Sequence, residues 1–263
     1  MNILIKNQQK AEIFCSMFQH IKVFSEHINI MFEKERMYLQ SMDSSRVSIF
    51  EFLLPSSWFD KYEHTNATSI PIGINSNILF KILNTREKLQ EINIVFDLEK
   101  EDTLFINFAS EEKSTFDKKF ELPLVDIDCE SMMIPDMESN AEFTIDSVKF
   151  ATIINQLKLF GDTIDIECKS DKIQLYSLTE TSGKMLVDIG VDDLSEYAVD
   201  ENDTIQLSFS LNIMHSICLY HKITKNMKIA FIKNYPMKLI YYLDDNDENA
   251  KLTFYLAPKI NDD

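Results

Sequence analysis

Residues 147–168 read SVKFATIINQLKLFGDTIDIEC, and the apolar period changes within them from that of a helix to that of a strand. Phe150, Ile153, Ile154 and Leu157 stand at i, i+3, i+4 and i+7, the stripe that one face of an α-helix buries. From Ile164 the period is two (Ile164, Ile166, Cys168), the alternation of a half-buried strand. Three further stretches carry the helical spacing: Phe14, Met17, Phe18, Ile21; Leu79, Ile82, Leu83 with Arg86 closing; and Met214, Ile217, Cys218 with His221 closing. Each is followed about 14 residues after its first apolar anchor by an alternating run: Ile28-Ile30-Phe32, Ile92-Ile94-Phe96 and Met227-Ile229-Phe231. Further alternating runs follow at 36–42 and 46–54, 103–109 and 114–122, 172–178 and 184–190, and 236–243 and 250–256. The unit is a helix plus three strands, used four times.

The first and third anchors, Phe14 and Phe150, lie 136 residues apart; the second and fourth, Leu79 and Met214, lie 135 apart. That is half the chain, so the repeat is also a duplication. The expected fold class is α+β: two similar domains, 1–123 and 142–263, each packing two helices on antiparallel sheet. Between them, 124–141 holds five acids from Asp126 to Glu138 and a proline, with no long helical period. It reads as an extended connector, and Met132, Met133 and Ile134 predict that it lies across an apolar surface. The runs at 114–122 and 184–190 read as edge strands. Such edges invite pairing with another copy, and a head-to-tail contact that closes makes a ring.

The chain has 43 Asp+Glu against 26 Lys+Arg, a net charge of −17. The helical windows 11–22, 76–86, 147–160 and 211–222 would hold about 8 carboxylates at the chain average. They hold only Glu12. They do hold Lys22, Lys81, Arg86, Lys149, Lys158 and Lys222, with His20, His215 and His221. An acidic protein that clears negative charge from one recurring surface is built to present that surface to a polyanion, because counterion release depends on where basic groups lie.

At 263 residues and 45% hydrophobic content, with 19 Phe, the chain can bury a substantial core. No apolar run is long enough to cross a membrane, and the opening MNILIKNQQKAEIF lacks the parts of a signal peptide. Cys15, Cys129, Cys168 and Cys218 have no CxxC spacing, which fits free thiols in a reducing compartment; Cys168 and Cys218 read as small core residues. Only four glycines are present, so turns rely on Asn, Asp and Ser. No phosphate-binding P-loop, nucleophile elbow or zinc-protease motif occurs. The pairs Asp126/Asp128 and Asp192/Asp193 leave a metal-dependent nuclease as the enzymatic alternative.

Leu39-Gln40-Ser41-Met42-Asp43-Ser44-Ser45-Arg46-Val47-Ser48 resembles the signature of the proliferating cell nuclear antigen family, the DNA sliding clamps of eukaryotes and archaea. Tyr255-Leu256-Ala257-Pro258-Lys259-Ile260 resembles the same family's C-terminal segment. Phe59-Asp60-Lys61-Tyr62, Gly73, Ile134-Pro135 and Gly161-Asp162 match in the family's order, across essentially the whole chain. The resemblance implies a non-enzymatic homotrimer without cofactors, its helices inside a six-domain ring and its sheet outside. Duplex DNA threads the hole. DNA polymerase and repair proteins dock outside, and an ATP-dependent clamp loader opens the ring. It implies a nuclear setting, or a site of viral DNA replication where the source is a virus. A subunit of a heterotrimeric, checkpoint-type clamp is the alternative within the family.

In that frame Lys22, Lys81, Arg86, Lys149, Lys158 and Lys222 are the expected DNA-facing set. Cys15, Ser16, Asn155, Asn212 and Leu219 replace basic residues of the family, so a less positive wall and a looser contact are expected. By resemblance, Met42, Arg46, Val47, Ile49, Met132, Ile134, Pro236, Tyr255, Ala257 and Pro258 form the groove for a PCNA-interacting peptide. Arg46 stands where the family usually has histidine.

Overall fold

The computed structural model describes all residues except 67, 112–114, 128–131, 136, 201–203, 234 and 260–263. In chain order the first half runs β1 (Asn2–Ile5), α1 (Gln8–Ile21), β2 (His27–Phe32), β3 (Arg36–Met42), β4 (Ser48–Pro55), β5 (Lys61–Glu63), β6 (Ile70–Asn75), α2 (Ser76–Leu83), β7 (Glu91–Phe96), β8 (Thr103–Ala109) and β9 (Lys118–Pro123). The second half repeats it: β10 (Ala141–Asp146), α3 (Ser147–Leu157), β11 (Thr163–Cys168), β12 (Lys172–Thr179), β13 (Gly183–Gly190), β14 (Glu196–Val199), β15 (Ile205–Ser210), α4 (Leu211–Cys218), β16 (Asn226–Phe231), β17 (Met237–Tyr242) and β18 (Lys251–Leu256).

The repeated unit is therefore strand, helix and three strands. The strand missing from the sequence reading leads each helix: β1, β6, β10 and β15. Its pairing ties the two repeats of each half together. β1 pairs antiparallel with β7, from the second repeat, placing Ile3 opposite Ile94 and Ile5 opposite Ile92. β6 pairs with β2, from the first, placing Ile74 opposite Ile28 and Ile72 opposite Ile30. In the second half β10 pairs with β16, and β15 with β11, in the same manner. Each leading strand thus belongs to the other repeat's sheet, and neither repeat can complete its sheet alone.

Two compact units result. The first comprises Met1–Ser44, Glu51–Met132 and Leu243–Lys251; the second comprises Ser45–Phe50, Met133–Tyr242 and Leu252–Asp263. The sequence reading divided the chain in order, at 1–123, 124–141 and 142–263, whereas the compact units exchange short segments. Ser45–Phe50 counts with the second unit because it meets the end of the chain: the Ala257 N–H donates to the Val47 carbonyl at 3.0 Å, and the rings of Phe50 and Phe254 lie 6.4 Å apart. The first unit holds the sheet order β5-β1-β7-β8-β9 and the run β6-β2-β3-β4. The second holds β15-β11-β12-β13 and the run β14-β10-β16-β17-β18, with the start of β4 beside β18.

The helices pack in pairs within each unit, α1 with α2 and α3 with α4. Their stripes are buried: Phe14, Met17, Phe18 and Ile21; Leu79, Ile82 and Leu83; Phe150, Ile154 and Leu157; Met214, Ile217 and Cys218. Ile153 is the exception, half exposed, because the turn of α3 rolls Ala151 into the core instead. Each fully buried Phe contributes about 2–3 kcal/mol, so these aromatic stripes carry much of each unit's stability. Cys15, Cys168 and Cys218 are free thiols, and the last two are core residues. Burial pushes the Cys15 thiol up to about 11 and that of Cys168 up to about 12, which keeps both protonated and unreactive.

The connector departs from its expectation in one respect. Its start does lie on the first unit: the Val125 N–H donates to the Gly73 carbonyl at 3.0 Å. Further on, Met132 and Ile134 are half buried but Met133 is 98% exposed. An extended chain turns alternate side chains to opposite sides, so the three residues cannot all face one surface. A Cβ on Gly73 would fall 2.0 Å from the Val125 carbonyl oxygen and 3.2 Å from the Ile127 side chain. Gly73→Ala is therefore expected to lower stability by about 1–3 kcal/mol. Urea denaturation followed by the fluorescence of the single tryptophan, Trp58, measures it; an unchanged midpoint would contradict the close approach.

Candidate nucleic-acid face and partner-binding residues

Each helix begins on a short polar residue. The Asn7 side chain accepts from the Lys10 N–H at 3.1 Å. Asn75 accepts from the Asn77 and Ile78 N–H groups at 3.0 and 3.2 Å, and Asp146 from those of Val148 and Lys149 at 3.0 and 2.9 Å. These caps satisfy N–H groups that have no partner within the helix. None of the four helices has an acid in its first turn. With the apolar stripe turned to the sheets, the outward positions are Gln9, Glu12 and Gln19 on α1; Asn77, Ile78 and Lys81 on α2; Val148, Lys149, Thr152, Asn155 and Gln156 on α3; and Asn212 on α4. Apart from Ile78 and Val148, the face is made of amides, a hydroxyl and lysines, with one carboxylate, Glu12.

The duplication repeats a charge arrangement at the helix ends. Lys22 follows α1 and Lys158 follows α3, 136 residues later, and both are exposed. A cation there complements the negative end of the helix dipole. The Lys22 ammonium lies 3.9 Å from the centroid of the Phe80 ring on α2, held at the seam of the helix pair. At the corresponding position of α4, 135 residues on, stands His215, whose pKa is lowered by burial and then by the nearby charge of Lys158. Near neutral pH His215 is uncharged, and the lysine supplies the charge at that seam.

Five of the six expected DNA-facing residues, Lys22, Lys81, Lys149, Lys158 and Lys222, are exposed. Arg86 is different. Its guanidinium donates to the Gln90 carbonyl at 2.7 Å, to the Lys88 carbonyl at 3.0 Å and to the Gln8 side chain. It is half buried, and burial lowers its pKa. It ties the segment after α2 to the first turn of α1, so its geometry is that of a brace.

Eight of the ten expected partner-binding residues lie in the second unit: Arg46, Val47, Ile49, Ile134, Pro236, Tyr255, Ala257 and Pro258. Met42 and Met132 lie in the first. Arg46 is exposed; the other nine are half exposed. Along β4, Ser48 and Phe50 are buried while Ile49 is not, so Ile49 belongs to the outer row of the strand. The end of the chain is fastened beside it: after the Ala257 bond to Val47, the Lys259 N–H donates to the Ser208 carbonyl at 2.7 Å and the Lys259 ammonium to Thr163. The Lys238 ammonium lies 5.9 Å from the Tyr255 ring. Arg46 has φ +58°, the left-handed conformation that side-chain-bearing residues rarely adopt, at the turn entering β4.

Gln40 was not singled out in the sequence, yet its carboxamide bonds the backbone of Met132 at both ends, at 2.8 and 2.9 Å. No period or motif marks such a contact, which joins residues 92 apart. The nuclease reading named the pairs Asp126/Asp128 and Asp192/Asp193. Asp128 is outside the described residues, Asp126 is exposed, and Asp193 accepts from the Gly190 N–H at 3.3 Å in a turn. Among the described residues, no three His, Cys, Asp or Glu side chains come together as metal ligands.

Four strand–helix–strand repeats in two matching units, with a helix face cleared of acid, define a protein of the DNA-clamp fold class. The family model for the proliferating cell nuclear antigen N-terminal domain matches residues 3–131, and that for its C-terminal domain matches residues 133–259. The proliferating cell nuclear antigen of Chaetomium thermophilum is 26% identical over 260 residues, covering 97% of each chain. The chain belongs to the proliferating cell nuclear antigen family of sliding clamps, which are non-enzymatic scaffold proteins.

The brace and the exposed lysines should separate in stability measurements. Arg86→Ala is expected to cost about 1–3 kcal/mol, since it removes charged hydrogen bonds to the part-buried Gln90 carbonyl and Gln8 side chain. Lys81→Ala and Lys149→Ala should stay within about 0.5 kcal/mol of the parent. Denaturant midpoints of the three variants decide it, and equal shifts would contradict the assignment of Arg86.

Proposed function

We propose that three copies of this chain close head to tail into a ring that encircles duplex DNA and holds a DNA polymerase at the primer end. The observation that carries the reading is the carboxylate-poor helix face in a protein of net charge −17. Lys22, Lys81, Lys149, Lys158 and Lys222 supply the charge, and the amides between them suit water-mediated contact with phosphates. Such contact carries no base readout and permits sliding.

The duplication supports closure. β9 is the counterpart of β18, and β13 the counterpart of β4. β18 and the start of β4 lie side by side in the chain, while β9 and β13 each end a sheet. What β18 and β4 do for each other, β9 and β13 can do only with a neighbouring copy. A ring built from this chain alone explains both edges at once; a heterotrimer would need two other chains with matching edges.

Met42, Arg46, Val47, Ile49, Met132, Ile134, Pro236, Tyr255, Ala257 and Pro258 would take the aliphatic and aromatic anchors of a PCNA-interacting peptide. Methionines at two of these positions adapt to partners of different shape. Tethering then raises the polymerase's effective concentration at the primer end, so that it rebinds before it diffuses away. An ATP-dependent loader opens the ring, and the replication site is nuclear, or viral where the source is a virus. No helix among the described residues is long and apolar enough to cross a membrane.

Exchanging Lys22, Lys81, Lys149 and Lys158 for Glu should lower loading on circular DNA by at least roughly tenfold and leave assembly intact. Polymerase stimulation on a primed circle reads the loss, and unchanged stimulation would refute the DNA-facing assignment. The pair Ile134→Ser and Pro258→Glu should abolish binding of a synthetic PCNA-interacting peptide in calorimetry. Unaltered affinity would refute the partner site.

A further inference from the structure

The proposed partner site includes Met132, a residue of the connector that belongs to no strand among the described residues. Gln40, on β3, holds its backbone with a side chain. The Met132 N–H donates to Gln40 Oε1 at 2.8 Å, and Gln40 Nε2 donates to the Met132 carbonyl at 2.9 Å. This is the two-point contact that an adjacent strand would offer.

The orientation of the amide is itself determined. Gln40 Nε2 also donates to Glu51 Oε1, on β4, at 2.9 Å, and the Tyr38 hydroxyl donates to the same oxygen at 2.7 Å. Glu51 as a carboxylate can only accept, so it selects the Nε2 end of the amide; a flipped amide would set two acceptors against each other. Burial, and then the bond to Glu51, push the Tyr38 phenol well above its ordinary pKa, so the hydroxyl remains a donor. Tyr38, Glu51, Gln40 and Met132 all belong to the first compact unit, and each of these contacts lies within it. Directly beyond the clasp comes Met133, 98% exposed, and then Ile134, half buried. The clasp sits at the start of that alternation.

We propose that Gln40 is a positioning residue for partner binding: held by Tyr38 and Glu51, it clasps the connector at Met132 so that Met132 and Ile134 are preset for the partner peptide. The inference rests on the peptide-binding reading above. Its physical content is preorganisation. Without the clasp the connector samples other conformations, and apparent affinity falls by the fraction of time the competent one is populated.

Two substitutions separate hydrogen bonding from side-chain volume. Gln40→Met keeps the length but removes both contacts with Met132. Gln40→Glu keeps the shape and one acceptor, but sets a carboxylate against Glu51 and the Met132 carbonyl. The full-length protein is measured three ways: affinity for a synthetic PCNA-interacting peptide, amide hydrogen exchange at Met132, and melting temperature. Gln40→Met should weaken peptide binding roughly three- to tenfold and release the Met132 amide to exchange, with a modest fall in melting temperature and the fold retained. Gln40→Glu should be at least as impaired. Parent-like affinity and Met132 protection in Gln40→Met would overturn the clasp, and parent-like behaviour of Gln40→Glu would reduce Gln40 to a space-filler. A parent protein that binds no peptide would sink the partner reading instead, whatever Met132 exchange shows.

Discussion

Every helix in this molecule is too short to stand alone in water, so each depends on burying its apolar stripe against sheet. That constraint orders the rest. Phe14, Phe18, Phe150, Ile154 and Met214 must face inward, which fixes the outward rows as a separate surface with its own composition. Because packing does not determine the outward rows, their near-freedom from carboxylates in so acidic a chain needs another cause. On the proposed reading, that cause is attraction of a polyanion.

Much of the fold was legible because local period and local structure agree. α2, α3 and α4 fall inside the windows marked by the apolar stripe, α1 starts three residues before its window, and the runs at 36–42 and 103–109 coincide with β3 and β8. The leading strands were missed, although Ile70, Ile72 and Ile74, and Ile205, Leu207 and Phe209, alternate with period two just before their helices. Their pairing with the opposite repeat is a long-range choice that only the assembled unit makes, as when β1 finds β7. The exchange of short segments between the units has the same origin: Ser45–Phe50 counts with the second unit, where the Val47 carbonyl accepts from the Ala257 N–H.

The site divides along the same line. Exposure of Lys81 and Lys149 followed from helical phase, whereas Lys22 and Lys158 cap their helices and Lys222 lies beyond α4. The bracing role of Arg86 did not follow from phase, because Gln8, far away in sequence, supplies one of its acceptors. Gln40 was invisible for a like reason. The duplication, by contrast, made one relation readable beyond expectation: Lys22 and Lys158, with Phe80 and His215, occupy matching places in the two helix pairs. One seam holds its lysine over a ring of π electrons, and the other holds its lysine beside a neutral imidazole.

The central claim is that the unpaired strand edges of one chain complete those of its copies, turning four acid-poor helices into the lining of a closed wall. Light scattering on the purified chain tests this most directly. One protomer is 30.7 kDa, and the account predicts a single species near three times that mass, about 92 kDa, at micromolar concentration. A species that stays at the mass of one chain as concentration rises would contradict it.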